Sequence, residues 1–323
     1  MTTTLTPGRW RGLKSTSLSN NIFAILAFDQ RGSYRKMLPA DTSYETAVEI
    51  KSEVVVSLSY HTSAALLDNQ YGLPAIQQMN GGSGVMLSLE ESGYSGDATY
   101  RKLIFNPDWT VAKIKQMGGT AIKLLAYYHP HSGALAEEIE GVISNVIAEC
   151  RKYELPLFLE PMSYSTDASF GKETAAFAAT RPQVVIDTAD RLSKLGPDVL
   201  KLEFPMDAAF DTDVKGWQTA CEKVSQVSTV PWVLLSAGVD FSTFEQQTEI
   251  ACKAGASGWL AGRAIWKECV VMPPAERAAF LAGKAADRVK RLNEIASAHA
   301  RPWTDFYSPM PSSPDWYKSY PLP

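Results

Sequence analysis

Eight short apolar runs, most of them separated by segments of helical periodicity, limit what this chain can fold into more than any other feature of it. The runs are FAILAF (23–28), SAALLD (63–68), GVMLSLE (84–90), TAIKLLAY (120–127), LPLFLE (155–160), DVLKLEF (198–204), PWVLLSAG (231–238) and SGWLAG (257–262). Helical spacing marks 44–60, 108–117, 135–152, 184–195, 213–227, 244–254 and 274–296. Short apolar runs alternating with amphipathic helices predict βα units and a parallel sheet. Eight such units, with no linker rich in Gly or Ser, predict an α/β fold of one closed (β/α)8 TIM barrel over residues 1–300. The connection 69–83 is too short and Gly-rich for a long helix. No GxGxxG follows the first run, which removes the main sequence reason for an open doubly wound sheet.

Beyond residue 300 the chain reads ARPWTDFYSPMPSSPDWYKSYPLP, rich in proline and aromatics and without a period. This predicts an extended C-terminal tail over 301–323, too apolar to be a solvated linker and expected to pack on the barrel or on a second subunit.

Composition narrows the function classes. With 45% hydrophobic residues in 323, a large core can be buried. Thirty-one Lys and Arg stand against 35 Asp and Glu, a net charge of −4 with no basic stripe, so no nucleic-acid partner is expected. No apolar run approaches the roughly 18 residues of a membrane span, and the start MTTTLTPGRWRG has no signal-peptide layout, so the expected location is cytoplasmic. Four separated cysteines, with no CxxC, suit a reducing compartment.

In a barrel of this type the chemistry lies at the C-terminal ends of the strands. There the sequence places Asp29, Gln30 and Arg31, then Asp68, Glu90 and Glu91, Lys123, Glu160, Lys201 with Glu203, Ser236 to Gly238, and Gly262 with Arg263. The stretch DVLKLEFP puts a lysine and a glutamate inside an apolar strand. Side chains alternate faces along a strand, so Leu200, Leu202 and Phe204 are expected to face the helices, and Lys201 and Glu203 to point into the barrel. Neighbouring strands about 4.8 Å apart would then gather Lys123, Glu160 and Lys201 into one cluster. A neutral amine in such a cluster attacks a carbonyl and forms a Schiff base, an electron sink for breaking a neighbouring carbon–carbon bond. The plainer alternative is a structural ion pair inside the barrel. Small residues in LLSAGVD and LAGRAIW, beside Arg263, let backbone amides approach an anion. The loops after the last two barrel strands commonly hold phosphate, so a phosphorylated carbonyl substrate is expected.

The blocks FAILAFDQRGS, ESGYSG, AIKLLAYY, LFLEPMSY, DVLKLEFP, VLLSAGVDF and GASGWLAGRAIWKE, in this order, resemble the class I tagatose 1,6-bisphosphate aldolases and the related sulfofructosephosphate aldolases. The resemblance covers most of the chain. It implies a Schiff-base lysine at Lys201, a general acid/base at Glu160, Lys123 polarising the site, and Asp29 and Gln30 near the substrate hydroxyls or the carbinolamine. It also implies phosphate contacts at Ser236, Ala237, Gly238, Gly262 and Arg263, with Arg31 serving the far phosphate or sulfonate. The reaction it implies is cleavage of tagatose 1,6-bisphosphate to dihydroxyacetone phosphate and glyceraldehyde 3-phosphate. The chain departs from the family at LDNQYG (67–72), where Gln70 replaces an acidic residue, which leaves the choice of sugar open.

Three alternatives follow from the same residues: a substrate such as 6-deoxy-6-sulfofructose 1-phosphate, a transaldolase that passes the enamine to an aldehyde acceptor, and a sugar-phosphate sensor that binds without turnover. A metal-dependent aldolase would need a donor cluster, and HPH at His129 and His131 is the one candidate; two histidines after a strand suit a loop better, so no metal or other cofactor is expected. Barrels of this kind often pair, and a homodimer is expected.

Overall fold

The computed structural model describes residues 2–318 and 320. Its centre is a closed barrel of eight parallel strands in chain order: β2 (Phe23–Phe28), β3 (Ala64–Leu67), β4 (Gly84–Ser88), β5 (Ala121–Tyr127), β6 (Leu157–Met162), β7 (Val199–Leu202), β8 (Trp232–Leu235) and β9 (Gly258–Ala261). All eight apolar runs are strands, and the fold is the (β/α)8 barrel that their alternation predicts.

Two buried clusters follow from the strand alternation. Phe23, Ile25, Ala27, Ala121, Phe158, Val199, Val233 and Leu260 fill the barrel interior. Ala24, Leu26, Phe28, Ile122, Leu159, Leu200 and Leu202 face the surrounding helices. Every second residue therefore continues the inner row upward, and on that row Lys123 follows Ala121, Glu160 follows Phe158 and Lys201 follows Val199. The barrel strands thus deliver polar side chains to one end by the same period that packs the apolar ones below.

Helix boundaries differ from the sequence reading in informative ways. The expected helix at 184–195 runs from Ala175 to Ser193, straight through Pro182. A side-chain cap from Thr174 to Phe177 N and the burial of Phe177 and Arg181 hold the first turns, and the proline deletes only one backbone bond. The short connection after β3 contains one helix, Leu73–Gln78. The expected helix at 274–296 is two α-helices, Pro274–Phe280 and Ala286–His299, joined through a π-turn at Leu281–Ala285.

The base of the barrel is closed by elements at both ends of the chain. Strand β1 (Thr3–Leu5) pairs in parallel with β10 (Tyr307–Pro309), and helix Pro7–Ser15 lies between β1 and the barrel. Trp303 is fully buried there, edge-on to Trp10 at 4.6 Å, and the Tyr307 hydroxyl donates to the Asp198 carbonyl at 2.7 Å. Asp198 also accepts from Arg9 at 2.7 Å and from Leu157 N at 2.9 Å, which links the N-terminal helix to β6 and β7. The segment after Arg301 therefore carries β10 and, further on, a short 3-10 helix at Trp316–Lys318. Of the tail expected at 301–323, residues 319 and 321–323 lie outside the described residues. Among the described residues no helix is long and apolar enough to cross a membrane.

Candidate active site

A cavity of about 560 Å³ opens at the C-terminal ends of the barrel strands. Asp29, Gln30, Arg31, Lys123, Glu160, Lys201, Ser236, Ala237, Gly262 and Arg263, gathered from six separate βα units, all line it. Gly238, the remaining predicted residue, stands behind the wall against Arg263.

The centre of the cavity is a chain of ion pairs. Lys201 Nζ lies 2.8 Å from Glu160 Oε1, and the other oxygen of Glu160 lies 2.9 Å from Lys123 Nζ. Lys123 is held on two further sides, by Asp29 Oδ2 at 2.9 Å and Glu90 Oε1 at 2.7 Å. All five side chains are nearly withdrawn from water. The two lysines are thus unequal. Burial works against the Lys123 ammonium, but the three surrounding carboxylates outweigh it and raise its pKa well above the ordinary lysine value. Lys123 stays a cation held by three carboxylates, whereas Lys201 has a single carboxylate partner, Glu160.

The carboxylates diverge for the same reasons. Burial would raise the Asp29 carboxyl, yet Lys123 and Lys201 together hold it far below the usual range. Burial wins at Glu90, whose carboxyl is pushed up despite Lys123 and a 3.0 Å hydrogen bond from Leu125 N. Glu90 was legible as a strand-end residue, but its place beside Lys123 was not. It lies past the end of β4, on the inward row that Met86 begins, and forms an isolated antiparallel bridge with Phe105.

Glu203 departs from the expected inward position beside Lys201. Strand β7 ends at Leu202, and although Phe204 still packs outward against Trp217, Glu203 turns to partners beside the strand end. Its carboxylate instead accepts from Ser163 N at 2.8 Å and pairs with Lys172 and Arg181. It lines a neighbouring cavity that shares the Met162 and Ala237 wall.

The opposite wall is built for an anion. Ala237 and Gly238 follow β8 with φ of 47° and 85°, two successive left-handed residues. A Cβ on Gly238 would fall 3.1 Å from Cζ of Arg263, so glycine is what lets the guanidinium lie against this turn. Gly262 ends β9 with its N–H 3.4 Å from Ser236 Oγ, and a Cβ there would sit 2.4 Å from the Ala27 carbonyl. Hydroxyl, guanidinium and glycine backbone converge on one wall, which suits a phosphate.

At the opposite rim Arg31 is already engaged. Its guanidinium donates to the Glu90 carbonyl at 2.6 Å, to Glu91 at 3.3 Å and to Asn69 at 3.4 Å. The Gln30 side-chain oxygen is buried with no protein partner and faces the cavity as a free acceptor. Gln70, where the chain departs from the family pattern, has an exposed side chain and is not part of the cavity lining. His131 pairs with Asp187 at 2.9 Å in an exposed position. Among the described residues no group of three or more His, Cys, Asp or Glu side chains is arranged to hold a metal ion.

The profile of the DeoC/LacD family aldolases matches residues 23–268. Tagatose 1,6-diphosphate aldolase 2 of Enterococcus faecalis is 33% identical, over 93% of this chain and 97% of that protein. Tagatose 1,6-diphosphate aldolase of Listeria monocytogenes is 30% identical, over 94% of this chain and 96% of that one. Among solved structures, a Schiff-base-forming fructose-1,6-bisphosphate aldolase superposes with a TM-score of 0.58 at 17% identity, over 90% of this chain and 98% of the other. Fructose-bisphosphate aldolase of Plasmodium falciparum superposes with a TM-score of 0.68 at 12% identity, over 90% and 94%. At these identities the two superpositions speak to the fold.

Proposed function

The chain belongs to the DeoC/LacD family of aldolases, and from that premise we propose that it cleaves tagatose 1,6-bisphosphate through a Schiff base on Lys201. It is a lyase of the carbon–carbon bond. The observation that carries the residue assignment is the inequality of the two lysines: Lys123 is fixed as a cation by three carboxylates, while Lys201 has one partner, Glu160, which Lys123 also holds.

The steps follow from that arrangement. Uncharged Lys201 Nζ adds to the ketone carbon C2 of the substrate, and loss of water from the carbinolamine leaves a protonated Schiff base. Glu160, within 2.8 Å of Lys201 Nζ, takes the proton of the C4 hydroxyl. The C3–C4 bond then breaks, its electron pair moves into the iminium to form an enamine, and C4 leaves as the aldehyde of glyceraldehyde 3-phosphate. Protonation of the enamine at C3 and hydrolysis release dihydroxyacetone phosphate and restore the amine. The Lys123 cation, tied to Asp29 and Glu90, keeps Glu160 oriented, and the Gln30 acceptor is free for a substrate hydroxyl. The wall of Ser236, Ala237, Gly262 and Arg263, with Gly238 behind it, takes the phosphate nearest C2, and Arg31 borders the far end of the sugar. No metal or cofactor enters this scheme. We place the reaction in the cytoplasm, with a homodimer as the working assembly.

Borohydride trapping tests the reading. Incubation with dihydroxyacetone phosphate and reduction is expected to leave one covalent adduct on Lys201, located by peptide mass spectrometry. An adduct on Lys123, or none on a folded protein, would sink it.

A further inference from the structure

One buried cation at this end of the barrel has no part in the scheme above. Lys51, from helix Tyr44–Ser59, is completely buried beneath the end of β2, as is the Asp68 side chain with which it pairs. Its ammonium donates to the Phe28 carbonyl at 2.8 Å and the Gln30 carbonyl at 3.1 Å as well as to the Asp68 carboxylate, so all three N–H bonds are used. The rings of Phe28, Tyr34 and Tyr71 surround it at 4.6, 5.3 and 5.3 Å. The other oxygen of Asp68 accepts from Gln70 N and Tyr71 N, both at 2.8 Å, which fixes Asp68 in turn.

The two carbonyls belong to the residues immediately before and after Asp29. The β2–β3 ladder stops at Phe28, so the segment carrying Asp29 and Gln30 lies beyond regular sheet pairing. We propose that Lys51, fixed by Asp68, is a positioning residue for the aldol cleavage: it clamps the backbone on both sides of Asp29 and so sets the Asp29 carboxylate against Lys123 and the Gln30 side chain in the cavity. A buried ion pair is a poor device for stability alone, because well-packed apolar side chains of the same volume often do as well or better. Such side chains cannot hold two main-chain carbonyls at the end of a strand, and a Lys ammonium, with three N–H bonds on one atom, can.

The proposal rests on the Schiff-base reading of Lys201, and the test separates the two. The double variant Lys51→Met, Asp68→Leu removes both charges, so no bare charge is left buried. Borohydride trapping with dihydroxyacetone phosphate counts the folded, lysine-competent sites, and tagatose 1,6-bisphosphate cleavage is then expressed per trapped site. Positioning predicts trapping near the wild-type stoichiometry with turnover per trapped site lowered tenfold or more. A merely structural role lowers trapping and turnover together, leaving their ratio within threefold of wild type, and that result overturns the proposal. If the double variant does not fold, the same ratio is measured on Lys51→Gln, Asp68→Asn, with the same decision. Failure of both to fold would make the pair a folding element and overturn the proposal too. Absence of an adduct in the wild-type chain would refute the Schiff-base reading itself, and this proposal with it.

Discussion

At the residue scale, the site separates two lysines that the sequence could only place side by side. The cluster of Lys123, Glu160 and Lys201 was legible because each follows an apolar residue on the inner row of its strand. What was not legible lay beyond the strands. Glu203 turned away one residue past β7, Glu90 turned inward past β4, and Lys51 sits on a helix whose pattern marks it only as a charge on a buried face. The roles divide cleanly in a kinetic experiment. Lys201→Met is expected to lower kcat/KM by roughly four orders of magnitude or more while leaving the far-ultraviolet circular dichroism unchanged. Glu160→Gln is expected to lower kcat by about 10²- to 10⁴-fold, the usual contribution of a positioned general base, and turnover near wild type would remove Glu160 from that role.

At the element scale, the loops after β8 and β9 act as one unit, with Ser236 reaching the Gly262 N–H and Arg263 lying on Gly238. The residue types there announced an anion site in the sequence. The packing that excludes a side chain at Gly262 did not, because it depends on the Ala27 carbonyl, far away in the chain. Gly238→Ala combines a left-handed φ with a contact on the guanidinium, and is expected to raise KM for the bisphosphate several-fold with a small change in kcat; an unchanged KM would mean that Arg263 does not serve the phosphate. The helix through Pro182 teaches a related lesson. A proline reads as a boundary in sequence, yet the Thr174 cap and the burial of Phe177 and Arg181 were enough to extend the helix on its far side. Arg181 in turn reaches Glu203, so the nine residues the sequence reading left out include one that shapes the neighbouring cavity.

At the scale of the whole molecule, charge and chain connectivity set the limits of stability. Burial opposes the ionised forms of Asp29 and Glu203, but the lysines on Asp29, and Lys172 and Arg181 on Glu203, hold both carboxyls below their ordinary 3.8 and 4.5. Depressed carboxyls give stability that is fully present above those ordinary values and is lost as pH falls through the depressed ones. Glu90, raised by burial, contributes in the opposite sense, losing stability as pH rises through its elevated value. The Tm is therefore expected to drop steeply below about pH 4, and Glu203→Gln to flatten that acid limb; an unaltered limb in the variant would show that the ion pairs around Glu203 do not govern it. The plug at the base sets the second limit. Removing everything from residue 302 onward uncovers the space held by Trp303 and Tyr307, a loss comparable to deleting a large buried aromatic, about 3–5 kcal/mol, and Tm is expected to fall on the order of 10 °C. The same plug bears on how the protein is made. Residues 303–309 leave the ribosome after every barrel strand, yet they complete the floor on which those strands rest and pair with the first strand of the chain. Until those residues are made, Trp303 and Tyr307 cannot fill the bottom of the barrel, so the contacts that close it are the last that synthesis allows to form.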